Sequence, residues 1–301
     1  MKIGANKRQT AAWRNWAIYL LSYLVEYLPS LLSYGVLCPV VAEVTWWLSP
    51  SVRRETTANM ACVWQGKGVE DPSTWRRSAR ASQRAATRTW VDMGLIPRID
   101  LERIRSDVQL EGIEYLREAQ ASGRGVLIAG AHFAGVYRIP HKLVAEGVDL
   151  LCPIEPIPSP RLAARAEELQ NCGGVKARPL SRQTLVEMRR RLSDGGVVVM
   201  LIDRDIQGTG AEMTFLGRPT LMPTGAAKIA LKAKGCLVIP GTWERQDAGR
   251  YRATLHPPID PAEYQDNPVS LTMAMLVPIE EQIRKAPESW IPMARVWPEG
   301  S

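Results

Sequence analysis

Apolar and polar positions divide this chain into three stretches. Residues 17–48, AIYLLSYLVEYLPSLLSYGVLCPVVAEVTWWL, are almost continuously apolar, interrupted by Glu26 and Glu43 and broken by Pro29 and Pro39. The pattern predicts two short apolar helices meeting near Pro29. The longest charge-free piece, 27–42, has 16 residues, short of the about 20 that a membrane span requires. No small-x-small cleavage site of a signal peptide follows. Arg14 precedes the stretch, and Arg53 and Arg54 follow it. Such a unit suits the membrane interface, the alternative being a helical hairpin packed on the rest of the chain. Residues 1–50 are therefore expected to form a membrane-associating helical unit, and residues 51–301 an α/β domain.

A basic segment comes next. Arg76, Arg80, Arg84 and Arg88 recur every four residues, with Arg77 beside them and no acid between 76 and 88. On a helix this spacing draws a slowly winding positive stripe. It fits either lipid head groups and phosphates or a plain solvated face.

From residue 107 onward, short β-rich runs alternate with helical ones. A helix over 113–122 is closed by Gly123 and Gly125. The apolar runs 126–131, 148–154, 175–180 and 197–202 are followed by helices near 138–146, 160–171, 182–193 and, after a glycine-rich loop, 225–234. Runs 236–243 and 251–256 read as an antiparallel pair, and a helix near 270–285 ends the series. Strands alternating with helices imply a mainly parallel sheet covered on both faces. The fold class is α/β, with the apolar helical unit at its N-terminus.

Composition refines this picture in two respects. At 301 residues, a chain buries about three quarters of its surface on folding, so disulfides are not needed. The five cysteines are scattered, as in a reducing compartment. The net charge of +7 favours an anionic partner. Nucleic acid is disfavoured, because no recognised binding module or basic–aromatic pattern is present.

In parallel sheets, ligands bind beyond the carboxyl ends of the strands. The residues that follow the apolar runs are His132, Glu155, Asp203 with Arg204 and Asp205, and Glu244. An imidazole at that rim can act as a general base near neutral pH. His141 and His256 lack such a setting. Three separated histidines have no zinc-ligand spacing, so no metal is expected. A nucleophile elbow, a P-loop and a dinucleotide fingerprint are all missing.

Several stretches carry a family resemblance: RRETTANM, LEGIEYLREAQASGRGVLIAGAHFAG, PIEPIPSPRLAARAEELQNCGGV and, most specifically, DRD…FLG…MPTGAAKIAL. Through them the chain resembles the bacterial lipid A biosynthesis lauroyl/myristoyl acyltransferases and their phosphatidylinositol mannoside acyltransferase relatives. The resemblance implies that 51–301 is an acyltransferase domain. It would move a fatty acyl group from acyl-CoA or an acyl-carrier protein to a hydroxyl, with no cofactor beyond the thioester co-substrate. The acceptor would be a lipid or glycolipid, at an anionic membrane surface on the cytoplasmic face, and the attachment peripheral. Two alternatives remain: a natural-product acceptor or carrier-bound chain, and an inactive lipid-binding protein on the same fold.

His132 occupies the place of the family's catalytic histidine. The family usually has an acid five residues later, where this chain has Tyr137, and an arginine where this chain has Gln170, shortly before Gly173 and Gly174. Glu155, which matches an active-site glutamate of the mannoside relative, is expected to take over the orienting role, with Tyr137 as its competitor; a Glu155 far from His132 would leave Tyr137 or Asp203 as the candidates. Asp203, Arg204, Arg138 and Gly225 are expected to form the substrate-binding set.

Overall fold

The computed structural model describes residues 18–298 except 158, 206–207 and 247–248. Arg14 lies outside the described residues. The apolar unit forms helix α1 (18–27) and, after Pro29, helix α2 (Ser30–Leu48). Pro39 does not break α2 as expected. Residues Ser33–Leu37 make a wider π turn immediately before it, with the Cys38 N–H bonded to the Ser33 carbonyl. That widening accommodates the ring where a regular turn would clash. Among the described residues, α2 is the one helix long and apolar enough to cross a membrane. Leu32, Val36, Val40, Val44 and Leu48 form an exposed row along it at four-residue spacing.

Helices α3 (Pro50–Gln65) and α4 (Pro72–Leu95) follow. Asp71 caps α4 by accepting from the N–H groups of Ser73 and Thr74, and Pro72 opens the helix without losing a bond. The arginine stripe runs along α4 as expected, but it is partly committed. Arg80 and Arg84 both grip Glu43 of α2, Arg84 at 2.7 Å, and so tie the two helices together.

Beyond α5 (Leu101–Asp107) come β1 (Val108–Glu111), α6 (Ile113–Ala121), β2 (Val126–Gly130), α7 (Arg138–Ala145), β3 (Leu150–Ile154), α8 (Pro160–Asn171), β4 (Lys176–Pro179), α9 (Arg182–Ser193) and β5 (Val197–Leu201). A hairpin, β6 (Ala211–Phe215) and β7 (Arg218–Met222), precedes α10 (Gly225–Lys232), β8 (Leu237–Arg245), β9 (Tyr251–Leu255) and α11 (Pro268–Lys285). The seven-stranded sheet has the order β1-β9-β8-β2-β5-β3-β4. Its β8–β9 pair is antiparallel and the other pairs are parallel.

All five residues of β2 are buried. Leu127 and Ala129 pack with Val198 and Val238 on one face, against Leu271, Met275 and Ile279 of α11. Val126 and Ile128 pack with Val197, Val199 and Ile239 on the other, against Leu116 of α6 and Leu143 of α7. Burial on both faces explains why these strands read as unbroken apolar runs. Each fully buried Val, Leu or Ile side chain contributes about 1.5–3 kcal/mol. The β6–β7 hairpin lies inside the stretch expected to be loop. Its turn places Leu216 and Gly217 at positive φ, 51° and 82°. Leu216 there replaces the usual Asn or Asp; its side chain is buried and its N–H is bonded by Glu280.

Candidate active site

The site is built where β2 and β5 end side by side. Gly130 pairs with Leu201 in register, and the N–H of Ile202 donates to the Gly130 carbonyl at 2.9 Å. Two residues further along each strand stand His132 and Asp203. The chain then turns sharply through FAG. Gly135 adopts φ of 87°, and a Cβ there would lie 2.3 Å from the Tyr251 ring. Only glycine permits both the turn and that approach.

His132 and Asp203 are joined twice. The imidazole Nδ1 lies 2.7 Å from Oδ1 of Asp203, and the backbone N–H of His132 donates to Oδ2 at 3.1 Å. The indole N–H of Trp290 donates to the same Oδ2 at 2.8 Å. The segment carrying Trp290 is pinned beside the pair, because the Ile291 N–H donates to the His132 carbonyl at 2.7 Å. Asp203 is fully buried. Burial alone would push its carboxyl pKa up. The charge of His132, the hydrogen bonds from His132 and Trp290, and the charge of Arg204 outweigh that and bring it down from 3.8 to about 2. The carboxylate is therefore ionised at neutral pH and fixes Nδ1 as the protonated nitrogen. Nε2 makes no hydrogen bond to any described residue, and the His132 side chain keeps 12% of its surface exposed.

The acid on His132 is thus Asp203, which the sequence reading had placed among the substrate-binding residues. Glu155 does not take the orienting role. It leaves β3, and β5 lies between β3 and β2. Its carboxylate instead pairs with Arg204 at 2.8 Å. Arg204 also donates to the Pro292 carbonyl at 2.6 Å, and its buried Nε has no partner among the described residues. Tyr137 makes no hydrogen bond to His132 either. Its ring stands 6.1 Å from that of Trp90, and desolvation pushes its hydroxyl pKa up to about 12.

Arg138 is likewise not free for substrate. It is buried and donates to Tyr34 at 2.9 Å, Asp92 at 3.2 Å and Asp107 at 3.4 Å. Gly225 opens α10, with open space where a Cβ would stand. Neither it nor Arg138 has a hydrogen bond to the His132–Asp203 pair. The other histidines are held elsewhere. His141 lies against the carbonyls of Tyr137 and Cys172, and His256 against the Thr242 hydroxyl. Trp290 has no signal in the sequence, because nothing local marks a tryptophan 87 residues away as a partner of Asp203.

A histidine with one nitrogen fixed by a buried carboxylate and the other open can take a proton from a hydroxyl. That arrangement suits enzymes that transfer a group to an alcohol. The comparison with known proteins narrows the class. The family of bacterial lipid A biosynthesis acyltransferases matches residues 3–298, and the chain belongs to it. It is an acyltransferase. It is similar to the phosphatidylinositol mannoside acyltransferase of Mycolicibacterium smegmatis, at 25% identity over 72% of this chain and 71% of the relative. The Mycobacterium tuberculosis protein of the same name is 24% identical over 72% and 69%. The lipid A biosynthesis palmitoleoyltransferase of Escherichia coli is 23% identical over 93% and 89%.

Proposed function

We propose that the enzyme transfers a fatty acyl group from an acyl thioester, on coenzyme A or an acyl-carrier protein, to a hydroxyl of a lipid or glycolipid. The observation that carries this reading is the His132–Asp203 pair at the rim of the sheet, with Nε2 open. In the reaction, Nε2 takes the proton of the acceptor hydroxyl as its oxygen attacks the thioester carbonyl. Asp203 stabilises the imidazolium that forms. Collapse of the tetrahedral intermediate breaks the C–S bond, and the departing thiolate takes the proton back from Nε2. Trp290 holds the Asp203 carboxylate in place and does not itself meet substrate. The names of the relatives support a lipid acceptor. The exposed apolar row on α2 supports peripheral attachment to a membrane, on its cytoplasmic side where acyl thioesters are made.

The test is to incubate the purified protein with acyl-CoA and acyl-carrier donors against a lipid extract and to follow products by mass spectrometry. An acylated lipid, formed by the parent and lost in His132→Ala, is the expected outcome. Equal product from both proteins would remove His132 from the chemistry. No product with any donor would favour a lipid-binding role on the same fold.

A further inference from the structure

A small pocket of about 80 Å³ lies where α2 begins. Ser30 and Tyr34 of α2, Arg98 from the turn after α4, Arg103 of α5 and Arg138 of α7 line it, and among the described residues no carboxylate does. Three guanidinium groups around so small an opening concentrate positive charge that an anion would relieve. Arg98 has no carboxylate partner among the described residues. Its Nη1 donates to the carbonyls of Glu26 and Leu28 at 3.0 and 2.8 Å. Those bonds fix the guanidinium at the end of α1 and leave Nε and Nη2 with no acceptor among the described residues. Arg103 shares Asp107 with Arg138, at 3.6 and 3.4 Å. Arg138 is only 5% exposed, and its Nε is buried without a partner among the described residues. Its terminal nitrogens serve Asp92, Asp107 and Tyr34, so Nε is the donor left over. Helix α2 adds a further positive end. It starts at Ser30 with no side chain capping it, and the N–H groups of Ser30 and Leu31 have no acceptor among the described residues.

We infer that this pocket binds a single phosphate group, with Arg98 and Arg103 on its outer oxygens, the first N–H groups of α2 beside them and Nε of Arg138 on its buried side. Guanidinium forks and an uncapped helix N-terminus both suit tetrahedral oxyanions. The pocket has room for the phosphate alone, and whatever it is esterified to would project past the exposed Ser30. A free phosphate ion and a lipid phosphomonoester present the same group. Tyr27 and Leu31, 76% and 81% exposed, flank the mouth in sequence, so a head group at a bilayer surface reaches the pocket as readily as a free ion does. The site is separate from the catalytic pair, since none of its lining residues bonds to His132 or Asp203. The inference therefore does not rest on the acyl-transfer reading. Bound there, the phosphate ties the start of α2 to α5 and α7 and stabilises the apolar unit in its docked position.

Inorganic phosphate is the probe, titrated by calorimetry into the purified full chain at fixed ionic strength, with chloride making up the balance. Saturable binding is expected, with a phosphate-dependent rise in melting temperature. Hydrogen bonds to charged groups are individually strong, so Arg103→Gln should weaken phosphate roughly tenfold and Arg98→Gln/Arg103→Gln roughly a hundredfold. The Arg103 side chain is exposed and its ion pair lies at the surface. Without phosphate, Arg103→Gln should therefore melt like the parent, which controls for loss of fold. His132→Ala should bind phosphate like the parent, and so should Arg189→Gln, which removes an exposed charge on α9. Sedimentation with phosphatidylcholine vesicles, with and without phosphatidic acid, identifies the source. A gain from phosphatidic acid that the double variant loses assigns the site to a lipid phosphomonoester. No gain, or a gain that the double variant keeps beside its loss of inorganic phosphate, assigns it to a free ion. Three results would overturn the inference: no saturable phosphate binding by the parent, a double variant that binds like the parent, or an equal loss in Arg189→Gln. Water or net charge would then account for the arginines.

Discussion

Asp203 and Asp92 are two buried carboxylates made of similar parts. Asp203 faces His132 and accepts from the indole of Trp290. Asp92 faces Arg138 and accepts from the hydroxyls of Tyr34 at 2.5 Å and Tyr251 at 2.6 Å. Each aspartate is supported by an aromatic donor from a distant part of the chain. The difference lies in the cation. Arg138 is always charged, is itself buried, and has both terminal nitrogens bonded, so the Asp92 cluster only ties α2, α4, α7 and β9 together. Surrounded by these groups, the hydroxyls of Tyr34 and Tyr251 are driven by burial and by the Asp92 charge well above the usual range. The His132 imidazole keeps one nitrogen unengaged by the described residues. One nitrogen without a partner among the described residues separates the His132–Asp203 pair from a strut.

The contrast breaks most sharply on removing each charge. Asp203→Asn should lower kcat by roughly two to four orders of magnitude, the usual worth of general acid–base catalysis, beside a stability loss on the order of 2 kcal/mol. Steady-state kinetics beside a chemical-denaturation curve check both. Asp92→Asn should lose more stability and keep its turnover. Breaking a buried ion pair on one side costs about 3–5 kcal/mol, read by chemical denaturation, while the folded fraction should keep kcat within a few-fold.

A smaller effect is expected in acid. The Asp203 carboxyl has a lower pKa in the folded chain than its ordinary 3.8. Its contribution to stability is therefore complete above that value and disappears as the pH falls toward about 2. The loss is on the order of 2 kcal/mol, and Asp203→Asn should not show it. The smallest effects test the residues that the structure removes from the pair. Glu155→Gln should lower kcat less than tenfold, by loosening Arg204, and Tyr137→Phe should change it less than twofold. A Glu155→Gln loss as large as that of Asp203→Asn would return Glu155 to the chemistry.

The central strands were legible in the sequence because strands buried on both faces are written as unbroken apolar runs, and His132 because it closes one of them. Strand order was not legible. Chain order suggests that β3 lies beside β2 and so favours Glu155 as the partner of His132. In the fold, β5 returns across the 42 residues between Ile154 and Val197 to insert between them, and nothing local in the sequence encodes that crossover. The β6–β7 hairpin escaped notice because its turn is Leu-Gly instead of a polar pair. The Asp92 cluster was hidden because Tyr34, Asp92, Arg138 and Tyr251 come from four separate elements.

The route by which Trp290 reaches Asp203 has a kinetic consequence. Asp203 lies 71 residues beyond His132, and Trp290 lies 87 beyond Asp203. Closing two such long loops costs entropy that only late contacts repay, and contacts distant in sequence slow folding. On dilution from denaturant, helical circular dichroism should therefore recover first. The ability to turn over substrate should lag behind it, returning only when the segment around Trp290 docks.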